Sequence, residues 1–380
     1  MASQRRRPRW FAVIGLAGCG MIFAVLALEL IVRWTWDRRQ GVPGLVLGHS
    51  TRVEVLAPNY RGYFAGQPLR INQLGFRDDR EYSLTKAPGV FRILVLGDSV
   101  TFGHGCAFKE TWPYLLNERL RQWNHTVNWQ VWNLGVPGYD TVLELRTLKE
   151  LGPSYHPDLV IVGFYENDLT AWNYMPTKPV PIWVYRIKAF LKQHFYLYTK
   201  LRSVYNAVRF QRVSNMTQAE YEQRLLSAPS EEHRSASLPS TRRYQEGAAP
   251  SLPASGRRYE PSGEGVTHWL EAVEQFKAYH RQSTYQVVFF INIAPDLSPD
   301  GTRFVDGIHH EMNEFFVRTL GSLTPVVSSY EAFWHYRPDE VPDAGGHSLG
   351  EANEVKADVL FKFLTHYVEQ VRQIGHAPTP

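Results

Sequence analysis

Apolar and polar positions alternate along most of this chain in short blocks, and the period of each block predicts its element. Residues 91–96 form a brief apolar run closed by Gly97, the mark of a buried strand. Residues 111–122 carry a helical pattern, with Thr111 placed to cap it and Pro113 in its first turn. A second strand is predicted over 127–134. Over 141–151 the apolar residues Leu143, Leu145, Leu148 and Leu151 mark an amphipathic helix. Residues 158–164 contain Leu-Val-Ile-Val, a run buried on both faces. Further strands are predicted over 286–293 and 325–328, and a last amphipathic helix over 352–371. Strands alternating with helices predict a doubly wound α/β domain around a mostly parallel sheet.

Two stretches break that rhythm. Residues 41–90 read as an irregular lead-in with turn signals such as Asn72-Gln73-Leu74-Gly75. Residues 183–265 read as an insertion between the third and fourth strands. Its 183–210 part is helical and aromatic-rich, and its 227–262 part is rich in Ser, Pro, Gly, Glu and Arg and expected to be mobile.

The N-terminus departs furthest from the globular pattern. Residues 10–28 are 19 uncharged, mostly apolar positions, preceded by Arg5, Arg6, Arg7 and Arg9. A run of roughly 20 such residues crosses a bilayer core as a helix. The expected organisation is a basic cytoplasmic tail over 1–9, a transmembrane helix over 10–33, the lead-in over 41–90 and an external domain over 91–372. A cleaved signal peptide would need a shorter apolar region and a small-residue cleavage site. Leu16-Ala17-Gly18-Cys19 looks like a bacterial lipobox, which would make Cys19 a lipid-bearing residue, although Gly20-Met21-Ile22-Phe23 continues the apolar run. The helix and the lipoprotein readings both leave the domain anchored on the far side of the membrane, periplasmic or at the cell surface.

Composition narrows the function classes. Of 380 residues, 44% are hydrophobic and 21% charged, as in globular proteins. The net charge of +4 comes from the N-terminus: residues 1–40 hold seven Arg against Glu29 and Asp37, leaving 34 basic and 35 acidic side chains elsewhere. No broad basic surface for nucleic acid is expected. With Cys19 and Cys106 as the two cysteines, and Cys19 in the apolar segment, the fold is expected to hold without a disulfide.

Ligands of an open α/β sheet gather at the carboxyl ends of its strands, and four polar segments fall at such ends. Leu96-Gly97-Asp98-Ser99-Val100-Thr101-Phe102-Gly103 puts a serine at a strand tip, where it is either a nucleophile awaiting a base or an ordinary turn or cap residue. Asn133-Leu134-Gly135-Val136-Pro137-Gly138 offers glycine backbone that a substrate can approach, or a plain strand-to-helix turn. Gly163-Phe164-Tyr165-Glu166-Asn167-Asp168 offers an amide donor, or a loop that caps itself. Asp343-Ala344-Gly345-Gly346-His347 offers a general base with a carboxylate nearby.

Taken together and in this order, the four segments resemble the SGNH/GDSL hydrolase superfamily. The lead-in Ile71-Asn72-Gln73-Leu74-Gly75-Phe76-Arg77-Asp78 is similar to that of bacterial members with one anchoring helix. The resemblance implies a three-layer α/β/α, flavodoxin-like domain and ester chemistry without metal or cofactor. It implies Ser99 as nucleophile, His347 as base and Asp343 as the residue that holds His347. The backbone N–H groups of Ser99 and Gly138 and the side-chain amide of Asn167 would form the oxyanion hole. Asp98 would support the turn. Asp343 lies four residues before His347, where the family pattern has three, and Asp339 is the alternative.

Asp306-Gly307-Ile308-His309 has the family spacing but is set aside as a decoy, because Val305, Ile308, Met312 and Phe316 mark a helix there. His309-His310-Glu311 is read as a solvated helix face, and neither a zinc motif nor a nucleotide loop is present. The leading expectation is a serine esterase acting on an O-acyl or O-acetyl group of a cell-envelope glycan or lipid. The alternatives are an O-acyltransferase acting on an exopolysaccharide and a non-catalytic envelope protein that keeps the fold.

Overall fold

The computed structural model describes residues 9–37, 41, 43–169, 182–210, 261, 264–322, 324–344 and 347–375. Within them a five-stranded parallel sheet is formed by β5 (Val90–Gly97), β6 (Asn128–Asn133), β7 (Leu159–Phe164), β8 (Gln286–Ile291) and β11 (Val326–Ser328). Its spatial order is β11-β8-β7-β5-β6. Chain order and spatial order part company at β5, which pairs with β6 on one side and β7 on the other. Connections leave this point in opposite directions, so a crevice opens above the carboxyl ends of β5 and β7.

Alternation along the strands explains the two layers of helices. Leu94, Leu96, Val160, Val162, Val287, Phe289 and Ile291 face α4 (Thr141–Tyr155), α7 (Glu264–Gln282) and α8 (Ile308–Leu320), which supply Leu145, Leu148, Trp269, Phe276 and Phe316. Ile93, Val95, Val131, Ile161, Val288 and Phe290 face α3 (Trp112–Trp123) and α10 (Gly350–Gly375), which supply Trp112, Leu116, Leu360 and Leu364. Burying each such side chain contributes roughly 1.5–3 kcal/mol, so both faces of the sheet are covered.

Most elements lie where the pattern puts them, with informative differences. The lead-in is not irregular: β1 (Val46–His49) pairs antiparallel with β2 (Val53–Leu56), and β3 (Arg61–Phe64) with β4 (Gln67–Arg70). The second hairpin turns at Ala65 and Gly66, with φ of 48° and 82°. That is a two-residue turn with both φ values positive, but alanine is not a residue that announces one. These strands are short and bury one side against the domain through Leu56, Leu69, Ile71, Phe102 and Leu143. Val305 belongs to β10 (Phe304–Val305), paired with β9 (Asp296–Leu297), and the helix begins only at Ile308. Thr111 does precede α3, but its hydroxyl is turned back onto the 3₁₀ turn over Phe108–Glu110, donating to Phe108 O (2.8 Å), and its oxygen accepts from no N–H of that helix. Helix α7 was not among the predicted elements, and residues 227–260 of the predicted insertion lie outside the described residues.

At the N-terminus α1 (Arg9–Thr35) runs unbroken through Cys19, and Val13–Thr35 is apolar and long enough to cross a membrane. Its last turns are tied to the insertion's first two helices, α5 (Ile182–His194) and α6 (Tyr196–Phe210).

Candidate active site

The Ser99 segment starts where β5 ends. A Cβ at Gly97 would overlap the Thr101 hydroxyl, so only glycine lets the chain turn this tightly. The turn leads into a single helical turn, α2 (Ser99–Phe102), capped by Asp98, whose Oδ1 accepts from Val100 N at 2.8 Å. The neighbouring loop after β6 is pressed against it: a Cβ at Gly135 would sit 2.5 Å from Phe102 N. Asn133 completes the contact, donating from Nδ2 to Thr101 O (2.9 Å) and accepting from Gly135 N (2.9 Å).

Ser99 and His347 meet across the crevice. Ser99 Oγ lies 2.7 Å from His347 Nε2, although 248 residues separate them. With the proton on Nδ1, the imidazole accepts the serine hydroxyl, the arrangement a general base requires. His347 comes from β13 (His347–Ser348), which forms a small antiparallel pair with β12 (Asp343–Ala344). In its register Ala344 stands opposite His347, and Asp343 stands opposite Ser348. The nearby alternative, Asp339, is exposed and lies 3.4 Å from Arg337 Nη2. Immediately after this pair, α10 fixes the strand: Asn353 Nδ2 donates to Ser348 O at 3.1 Å.

Asn167 arrives from the 3₁₀ turn after β7, and its Nδ2 donates to Asp98 Oδ2 at 2.9 Å. Asp98 therefore links the first and third blocks, with Ser99 Oγ 3.5 Å from the same oxygen. Burial pushes the Asp98 carboxyl up, while the bonds from Asn167 and Val100 and the positive charge of Lys356 oppose the rise. Gly138 lies in the loop after β6, at φ +85°.

Electrostatics favour a neutral imidazole at His347. Burial and, secondarily, Lys356 hold His347 down to about 4. Lys356 projects from α10 and is fully buried. His104, five residues after Ser99, stacks on His347 and is itself held well below the usual histidine range by burial, His347 and Arg77. Arg77, buried, donates to Phe102 O (2.9 Å) and also bonds Gly103 O and Cys106 O, so it clamps the loop that carries His104.

Behind the crevice lies a buried acidic pair. Glu144 of α4 is fully buried, and neither carboxylate oxygen has a hydrogen-bond partner among the described residues. Asp168 accepts from Thr141 Oγ1 (3.2 Å) and Tyr165 N (3.4 Å). Burial, reinforced by neighbouring carboxylates, raises both well above the usual carboxylate range.

The site thus gathers Ser99, His347 and Asn167 at one sheet edge and leaves His309 elsewhere. His309 Nε2 lies 3.3 Å from Glu166 Oε2 and its Nδ1 3.5 Å from Asp296 Oδ1, while His310 faces Asp306 and Glu314. His309 thus departs from the expected solvated face, because the start of α8 packs against the loops after β7 and β8, whereas His310 and Glu314 stay partly exposed. His104, Arg77, Lys356 and Glu144 were not singled out from the sequence. A signal existed for one of them: Ala352, Asn353, Lys356 and Leu360 recur at helical spacing, which puts a lysine on the buried stripe of α10.

Among solved structures the chain is similar to a two-domain esterase active on acetylated mannans (13% identity, TM-score 0.39), covering 73% of this chain and 49% of that one. It is similar to a GDSL-like lipase from Bacteroides thetaiotaomicron (10% identity, TM-score 0.35), covering 75% and 93%. It is similar to the acetylxylan esterase Axe2 from Geobacillus stearothermophilus (12% identity, TM-score 0.35), covering 72% and 93%. The chain spans about half the length of the first of these, and at such TM-scores the three carry nothing beyond the likeness. No curated protein sequence matches the chain. The model of the GDSL-like lipase/acylhydrolase family matches residues 95–311, a span that holds the first three blocks and ends before His347. With more than half of its residues in that match, the chain belongs to the GDSL-like lipase/acylhydrolase family of ester-hydrolysing enzymes.

Proposed function

We propose that this chain is a membrane-anchored serine esterase that cleaves an O-acyl or O-acetyl ester of a cell-envelope glycan or lipid. The observation that carries the reading is the 2.7 Å contact between Ser99 Oγ and His347 Nε2 at the switch point of the sheet. His347 takes the hydroxyl proton as Ser99 attacks the acyl carbon. The tetrahedral oxyanion receives N–H groups from Ser99, Gly138 and the Asn167 amide, which has a second N–H besides the one bonded to Asp98. His347 then protonates the leaving alcohol, and water repeats the cycle on the acyl-enzyme. Asp343 is assigned to hold the imidazole.

In this reading residues 10–33 anchor the protein, 1–9 stay in the cytoplasm and the domain over 91–372 works outside it. The arginines before the apolar run favour that orientation. An envelope ester is then the substrate within reach. Hydrolysis of 4-nitrophenyl acetate by the full chain in detergent tests the activity. Turnover that disappears in Ser99→Ala is expected. Equal rates in both proteins would leave the fold without this chemistry.

A further inference from the structure

Helices α5 and α6 present an apolar surface that the catalytic domain does not use. On α5, Trp183, Ile187 and Phe190 recur at i, i+4 and i+7. On α6, Leu201, Val204 and Tyr205 recur at i, i+3 and i+4. All six are between 50% and 64% exposed. Such spacing aligns side chains into one stripe along a helix, and a soluble protein turns such a stripe inward. Here α5 is held to the domain by its other side. Lys192, two positions past Phe190 and so about 200° around the helix, pairs with Glu54 of β2, and α5 packs on β1.

Charge tells what covers the stripe. Apart from Lys192, which Glu54 neutralises, residues 182–210 contain Arg186, Lys188, Lys200, Arg202 and Arg209 and no Asp or Glu, whereas residues 41–380 as a whole are close to balanced. Basic helices with Trp, Phe, Tyr and Leu on the opposite face lie in the plane of an anionic membrane surface.

Position agrees with charge. The turn between the two helices is fastened to the end of α1, where the apolar span finishes. Arg33 Nη2 donates to His194 O at 2.6 Å, and the Arg33 guanidinium lies 4.9 Å from the Tyr196 ring centroid. Trp36 meets Tyr196 edge-on at 5.4 Å. Glu29, inside the span, accepts from Tyr196 N (3.0 Å) and Leu197 N (2.8 Å), so its charge is spent on the α6 N-terminus. The turn thus stands at the end of α1, where Leu28 and Ile31 are themselves exposed.

We propose that α5 and α6 form an interfacial hairpin that docks on an anionic lipid bilayer and fixes the catalytic domain against the membrane. This rests on α1 being a membrane span. The test uses the full chain in vesicles of phosphatidylglycerol and phosphatidylcholine. Nitroxides are placed at Ile187→Cys or Val204→Cys with Cys19→Ser, at native Cys19 as the span control, and at Asp339→Cys, with Cys19→Ser, as the exposed control. Oxygen, which partitions into lipid, should relax the labels at 187 and 204 more than an aqueous nickel chelate does, the inverse of position 339. The preference should weaken in pure phosphatidylcholine. Nickel dominance at 187 and 204 with oxygen dominance at Cys19 would overturn the docking and leave the anchor standing. Nickel dominance at all of them would overturn both. Shielding of 187 and 204 from both reagents would mean that protein covers the stripe, and would also overturn the proposal.

Discussion

The imidazole of His104 lies flat against that of His347, with ring centroids 4.5 Å apart and planes inclined by 22°. Phe64, from the β3–β4 hairpin, meets the other ring edge-on at 4.8 Å. The lead-in, the Ser99 loop and His347 are thus in one stack, and the proposed chemistry gives His104 a positioning role exerted through His347. His104→Ala should lower kcat roughly 10- to 100-fold with little change in KM, since a small misplacement of a reacting group costs that much. His104→Phe, which keeps a ring in the stack, should restore most of it. A loss of KM instead, or no rescue by phenylalanine, would remove the positioning role.

The acid limit of activity follows from the surroundings of His347. As the proposed base, His347 works only when neutral, and burial with the nearby Lys356 charge lowers it to about 4. Activity should therefore persist below the ordinary histidine range of about 6.5 and fall only as pH approaches the lowered value. Lys356→Met removes a positive charge, so the imidazolium becomes less costly and the acid limb of kcat/KM should move to higher pH. A limb that stays in place would separate Lys356 from the base.

Asn167→Ala tests the oxyanion assignment and its tie to Asp98 together. Loss of one such donor lowers kcat by about 10²–10³. The expected result is that fall, with KM and melting temperature little changed. An unchanged rate on an activated ester would take Asn167 out of the site.

Glu144 carries a pH signature of its own. Its carboxyl is raised in the folded protein by burial and by Asp98 and Asp140, so the folded state holds a proton that the unfolded chain releases above its own pKa. Stability from this group is complete below the unfolded value of about 4.5 and declines as pH rises towards the raised one, by at most about 1.4 kcal/mol per pH unit. Glu144→Gln lacks that slope. Its melting temperature relative to the natural protein should climb between pH 5 and 8. A constant difference would mean that Glu144 is ionised where it lies.

The parallel sheet and its helices were legible because burial on both faces writes continuous apolar runs at β7 and β8 and a helical period at α3, α4 and α10. Ser99 and Asn167 were legible as polar residues in the turns just past β5 and β7, and His347 as one shortly before the last helix, although it sits in the short strand β13. The lead-in hairpins were not, since Ala65 takes a left-handed turn without the residues that advertise one. Nor was the role of His104, which depends on a stack with a residue 243 positions away that no local spacing records. Glu144 lies between Leu143 and Leu145 on α4, and nothing in that spacing marks its full burial.

The proposed chemistry requires an activated Ser99 paired with His347. The full chain should be treated with a fluorophosphonate probe and digested, and the modified peptide located by mass spectrometry. A single phosphonylated residue at Ser99 is expected, lost in His347→Ala, retained in His309→Ala and reduced to an intermediate level in Asp343→Asn. Labelling that survives His347→Ala but vanishes in His309→Ala would contradict the assignment of the base, and labelling absent from Ser99 altogether would contradict the account itself.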